Sequence, residues 1–198
     1  MRRDAVVFAI SGAFFGLLVG WILGSQQRPA RPVGAPVVQA PAAPAGGQPA
    51  PPPLDENRAR ALEATAQATP TDAGTRVALG DLYFDAERFP EAIRWYEAAL
   101  QIDPNDANAS TDLGVAYYYA NQPDRALQQF DHSLTVDPTH TKTLLNQGIV
   151  RAFGKQDLAG AAESWQKAID LAPESAEGRA AKQALDSLRS AHPGVGGM

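Results

Sequence analysis

The 198-residue chain contains no cysteine. That excludes disulfides, thiolate metal sites, haem attachment through paired cysteines, thiol nucleophiles and a lipidated N-terminal cysteine. It leaves the redox compartment open. Histidine is scarce, and His132, His140 and His192 have no metal-ligand spacing to one another. No glycine-rich phosphate loop occurs, because the "GVGG" near the C-terminus is followed by no helical pattern. Asn108-Ala109-Ser110 has the form of a glycosylation acceptor but begins a helical segment. Asp81 and Asp85, four residues apart on one predicted helix, read as a solvated face rather than a catalytic pair. These absences predict a chain that is not an enzyme and holds no cofactor or metal.

Basic residues are also few, and they are unevenly placed. Before Leu54 four arginines (Arg2, Arg3, Arg28, Arg31) face only Asp4, whereas from Leu54 onward 13 basic residues face 21 acidic ones. An acidic main part argues against nucleic acid as partner, since that binding rests on clustered Lys and Arg. The arginines flanking the first apolar run suit anionic lipid headgroups instead.

That run, residues 5–24, has no charge and Ser11 as its one hydroxyl. Twenty residues at about 1.5 Å each make a helix of roughly 30 Å, the thickness of a bilayer core. We read residues 1–4 as a short tail and 5–24 as an uncleaved transmembrane signal-anchor helix. A cleaved signal peptide is the competing reading, but the stretch is long for one and Ile22-Leu23-Gly24 is a poor cleavage site. Gly12, Gly16, Gly20 and Gly24 recur at every fourth position, so they would share one helix face. Such a face predicts membrane-helix packing, either with a second copy as a homo-oligomer or with a partner's helix. Residues 25–53 are rich in Pro and Ala and read as a disordered linker with polyproline character.

From Leu54 the apolar residues take helical spacing, and the pattern repeats. Gly80, Gly114 and Gly148 are 34 residues apart, and Pro70, Pro104, Pro138 and Pro173 keep nearly the same step. "LGDLY" (Leu79 to Tyr83) returns as "LGVAY" (Leu113 to Tyr117). Ala92, Tyr96 and Ala99 return as Ala126, Phe130 and Ser133, then as Ala161, Trp165 and Ala168. Small residues let paired helices approach, aromatics fill the space between, and the prolines stop the second helix. Pro90 and Pro123 fall where a second helix starts, a position that tolerates the missing N–H.

These residues resemble the tetratricopeptide repeat (TPR) family, of a membrane-anchored bacterial type. The resemblance implies an all-α solenoid of helical hairpins behind the anchor and linker. The repeats would be 73–106, 107–140 and 141–174, after a degenerate half-repeat helix at 54–72 and before a capping helix at 175–191 and a disordered tail at 192–198. The third repeat departs from the pattern: Gln147 and Arg151 replace the expected Leu and Tyr. It also carries one extra residue, which the sequence places in the inter-helix turn at 153–160.

The first helix of each hairpin lines a concave groove in this family. By resemblance, Val77, Asp81 and Phe84, then Thr111, Asp112, Val115, Tyr118 and Tyr119, then Lys142, Leu145, Asn146, Ile149 and Phe153 would line it here. Tyr117 already fills the core aromatic site, so Tyr118 and Tyr119 either pack on a neighbouring repeat or anchor a bound peptide. Members that grip a chaperone's C-terminal carboxylate need Lys, Asn and Arg in the groove. Only Lys142 and Asn146 match, while Val77, Asp81 and Asp112 do not, so that role is not expected.

The expected function is a membrane-anchored scaffold or assembly factor that binds a peptide or helix of another protein. The run "GKQDLAGAAESWQKAIDLAP" also resembles membrane-anchored subunits of cytochrome c maturation, which would imply holding an apocytochrome for haem ligation. A regulatory subunit of a membrane enzyme or export complex is a further alternative. The expected location is the bacterial inner membrane, single-pass. The arginines favour a cytoplasmic N-terminus only narrowly, and the long stalk suggests a periplasmic repeat domain.

Overall fold

The structure, a computed structural model, describes residues 52–194. The expected anchor with Gly12, Gly16, Gly20 and Gly24, nearly all of the linker, and residues 195–198 of the tail lie outside the described residues. Among the described residues there are eight α-helices and no strand. They are α1 (Glu56–Ala68), α2 (Ala73–Asp85), α3 (Phe89–Ile102), α4 (Ala107–Tyr119), α5 (Pro123–Val136), α6 (Thr141–Ile149), α7 (Leu158–Leu171) and α8 (Ala176–Ala191). No described helix is long and apolar enough to cross a membrane.

Local chemistry sets the helix ends. Asp55, Asp72, Asp106, Asp157 and Ser175 each accept a backbone N–H in the first turn of the following helix. Pro70, Pro104, Pro138 and Pro173 each stand two residues beyond a helix end, and Pro123 opens α5. Consecutive helices pack as hairpins: α2 on α3, α4 on α5, α6 on α7, with α8 closing against α7. The result is a TPR-like helical solenoid.

Each hairpin is held by an aromatic ring of its second helix lying on a glycine of its first. Tyr96 covers Gly80, Phe130 covers Gly114 and Trp165 covers Gly148, each so closely that a Cβ would fall within 2.5 Å of a ring atom. Ala92, Ala126 and Ala161 are fully buried beside them. Adjacent hairpins are stitched by a periodic polar contact. Tyr83 donates to Glu63 at 3.0 Å, Tyr117 donates to Glu97, and in the third repeat Gln147 Nε2 donates to Asp131 at 2.8 Å. Glu63, Glu97 and Asp131 sit 34 residues apart on the second helix of the preceding unit.

The extra residue of the third repeat is not in the turn, where the sequence placed it. α6 ends at Ile149 and runs into a π-helical turn, Val150–Gly154, in which Lys155 N–H reaches Val150 O at 3.1 Å. The turn that follows keeps the shape of the other two. Glu87, Asn121 and Gln156 occupy the same point with φ of 55°, 59° and 57°. Arg88 and Gln122 bond back to Tyr83 O and Tyr117 O, and Asp157 bonds to Arg151 O across the inserted residue. Counted from those turns, Phe153 stands in register with Phe84 and Tyr118.

Gln147 and Arg151, in place of Leu and Tyr, build a polar joint within the third hairpin. Gln147 is 4% exposed and accepts from Ser164, while Arg151 donates to Ser164 Oγ and Gly160 O, both at 3.0 Å. No buried side-chain nitrogen or oxygen lacks a partner among the described residues. That is the condition under which a buried polar cluster is tolerated.

Candidate functional site

The first helices α2, α4 and α6 stand side by side, and polar side chains reach across the row. Lys142 Nζ on α6 pairs with Asp112 Oδ1 on α4 at 2.6 Å. Asn146 donates to Lys142 O at 2.8 Å, one turn back on its own helix. Asp81 on α2 accepts from the Tyr96 hydroxyl at 2.8 Å. Val115, Phe84, Ile149 and Phe153 are half-buried, so this face combines apolar surface with charge.

Asp81 sits under electrostatic stress. Asp81 is exposed to solvent, although neighbouring protein atoms crowd its carboxylate. Burial pushes its carboxyl up to about 6, and Asp112 and Asp85 push the same way; the Tyr96 hydrogen bond and Lys142 oppose them. Burial also raises Asp85, against a weaker pull from Arg58. In the unfolded chain Asp81 ionises above 3.8, but in the fold only above about 6. Its ionisation therefore opposes folding increasingly across that window and fully above it. Asp81→Asn should stabilise the domain near neutral pH by about 1 kcal/mol, allowing for solvent screening, and change nothing below pH 3.8. Thermal melts of both proteins across that pH range check this.

Two expected groove residues lie elsewhere. Thr111 is 0% exposed, because its hydroxyl joins a buried cluster. It bonds Ala107 O at 2.7 Å, Ser133 Oγ at 3.0 Å and Thr143 Oγ1 at 2.6 Å, with His140 Nδ1 against Thr143 at 2.6 Å. Leu145 is buried as well, and its carbonyl accepts from Trp165 Nε1 at 3.1 Å. Neither side chain is free to touch a partner.

The tyrosines belong to an aromatic cluster at the turn end of the hairpins. Tyr119 stacks on Phe89 with ring centroids 5.3 Å apart and meets Phe84 edge-on at 5.4 Å. Tyr118 lies 5.9 Å from Tyr119 and against Gly154 of the next repeat, where a Cβ would come within 3.2 Å of its ring. Both tyrosines thus pack on neighbouring repeats while remaining only half-buried. Phe89 was missed by the sequence reading because it starts a second helix; its position in the turn was the available signal. Tyr96 was seen as core, and that its hydroxyl would reach a groove carboxylate was not. Among the described residues, no group of three or more His, Asp or Glu is placed to hold a metal.

Residues 80–120 match the family model described as "TPR repeat", and residues 111–176 match "Tetratricopeptide repeat". None of the curated proteins matches the chain. Among solved structures, the crystal structure of MamA is similar at 17% identity and a TM-score of 0.54, covering 67% of this chain and 85% of that one. A second MamA crystal structure gives 21% identity, a TM-score of 0.55 and coverage of 67% and 75%. The first TPR of Spaghetti (RPAP3), bound to the HSP90 peptide SRMEEVD, gives 24%, 0.55 and coverage of 60% and 94%. Residues 80–120 and 111–176 thus carry the repeat pattern of the tetratricopeptide models, and the helices around them share the TPR-like fold of these structures.

Proposed function

We propose that the chain is a protein-interaction module that holds a peptide or helix of a partner against the face formed by α2, α4 and α6. The observation that carries this is the row of groups on that face: Asp81, Asp112, Lys142 and Asn146 beside half-buried Val115 and Ile149. A similar fold holds a peptide in the Spaghetti (RPAP3) structure. The acidic SRMEEVD peptide named there is a poor model for the ligand of this chain, because Asp81 and Asp85, which have no ion-pair partner among the described residues, would repel it. With residues 5–24 as a bacterial inner-membrane anchor and 25–53 as a stalk, the module acts as a scaffold or assembly factor presented to the periplasm. Binding, not catalysis, is the role the face supports.

Site-directed photo-crosslinking in cells tests this without disturbing the fold. A crosslinking residue at Asn146 or Ile149 should capture one discrete partner, while the same residue at exposed Arg94 on α3 should not. Capture from Arg94 alone would move the binding face to the second helices and refute the proposal.

A further inference from the structure

We infer that the groove takes a cationic partner segment, with a lysine or arginine seated at Asp81 and Asp85 and apolar side chains on Val115 and Ile149. This rests on the reading of the α2–α4–α6 face as the binding face and names the chemistry of what it holds.

Charge complementarity carries the choice. The one lysine projecting from that row, Lys142, is already paired with Asp112 at 2.6 Å. Asp81 and Asp85, four residues apart on α2, therefore share a face. Asp81 receives a neutral hydroxyl hydrogen bond from Tyr96, and neither carboxylate takes part in an ion pair among the described residues. Arg58 on α1 acts on Asp85 only at longer range. The face therefore carries exposed negative charge without an ion-pair partner beside half-buried apolar surface, which favours a partner's cation there. An incoming ammonium or guanidinium would also offset the repulsion from Asp112 and Asp85 that adds to the effect of burial on Asp81. A basic segment with interspersed apolar residues matches both halves of the face; an acidic tail matches neither charge.

The chain itself contains a basic proline-rich stretch, Arg28-Pro29-Ala30-Arg31. It could compete for the same carboxylates, so the test separates it from an external partner. Two labelled short peptides of equal apolar content, one bearing lysines and one bearing glutamates, are titrated into the full chain in detergent and followed by fluorescence anisotropy. The basic peptide should bind at least about tenfold tighter, and Asp81→Asn with Asp85→Asn should remove that preference. Glu163→Gln, on exposed surface of α7, should leave it intact. Affinity for the basic peptide should fall as pH drops below about 6, where Asp81 protonates.

Equal binding of the two peptides overturns the inference. So does an equal loss with Glu163→Gln, which would mean general attraction to an acidic domain. Basic-peptide binding that emerges only after Arg28→Ser with Arg31→Ser would assign the carboxylates to the chain's own segment and overturn it too. In each case a crosslink from Asn146 or Ile149 would survive, so loss of the cationic specificity is distinguishable from loss of the binding face.

Discussion

Alanine in place of Gly114 should cost the domain about 3 kcal/mol, enough to lower its melting temperature by roughly 10 °C. Helix propensity alone predicts the opposite, because alanine is the better helix former by about 1 kcal/mol. The sign of the change therefore decides between propensity and packing. A Cβ on Gly114 would lie 2.4 Å from Phe130 Cε1 and 2.7 Å from Cδ1. The ring cannot swing aside, since Phe130 is 0% exposed and enclosed by other core residues such as Leu113, Ala116 and Ala126. Either α4 and α5 separate or the ring leaves its rotamer, and both cost energy in an interior packed to crystal-like density. The second-site test is Phe130→Leu. Alone it destabilises by leaving a cavity, but in the Gly114→Ala background it should recover part of the loss. Denaturant melts of the four proteins give the coupling energy. Purely additive effects would show that the glycine is not there for the ring.

The same contact explains why the fold was legible in the sequence. Gly80, Gly114 and Gly148 recur with Tyr96, Phe130 and Trp165 because every hairpin solves the same close approach, so period and partner appear together. The prolines after α1, α3, α5 and α7 are equally local, each acting only on its own helix end. What the sequence did not reveal are features that join distant residues. The hydroxyl cluster draws Thr111, Ser133 and Thr143 from three helices, and nothing local to Thr111 distinguishes it from a groove residue. The polar joint of Gln147, Ser164 and Arg151 likewise looks like loss of a pattern until its members are seen to satisfy one another.

The extra residue of the third repeat is the clearest divergence. A longer turn and a π-helical turn carry the same count of residues, so periodicity cannot choose between them. The turn holds its length because its left-handed residue, Gln156, and the bond from Asp157 N–H to Arg151 O fix it. The insertion is therefore pushed back into the helix at Val150–Gly154, which also brings Phe153 into register with Phe84 and Tyr118. For the candidate site, the charged members are proposed from their position in the repeat. The upward shift of Asp81 was not legible there, because it depends on burial and on Asp112 approaching from α4.

Gly178→Ala should have the largest local effect of any single methyl group added to this domain. Gly178 lies in the first turn of α8, where its N–H is held by the Ser175 cap at 2.9 Å. A Cβ there would sit 1.9 Å from Ala172 O, 2.8 Å from Ala172 C and 3.2 Å from Pro173 Cα. All three obstacles are backbone, so no side chain can rotate away, and the start of α8 must lift from the end of α7. Docking of α8 buries Ala181, Ala184, Leu185 and Leu188. Each leucine so buried is worth about 1.5–3 kcal/mol, so displacing the helix forfeits most of what holds it. Repeat arrays contact mainly their neighbours, so the loss should stay at this end. Hydrogen exchange should accelerate by roughly a hundredfold in α8, which corresponds to about 2.7 kcal/mol, while α2 and α3 keep their protection. Uniform acceleration through all the helices would show instead that the array opens as one unit. Unchanged exchange in α8 would show that its first turn can shift without undocking the Leu185 and Leu188 contacts.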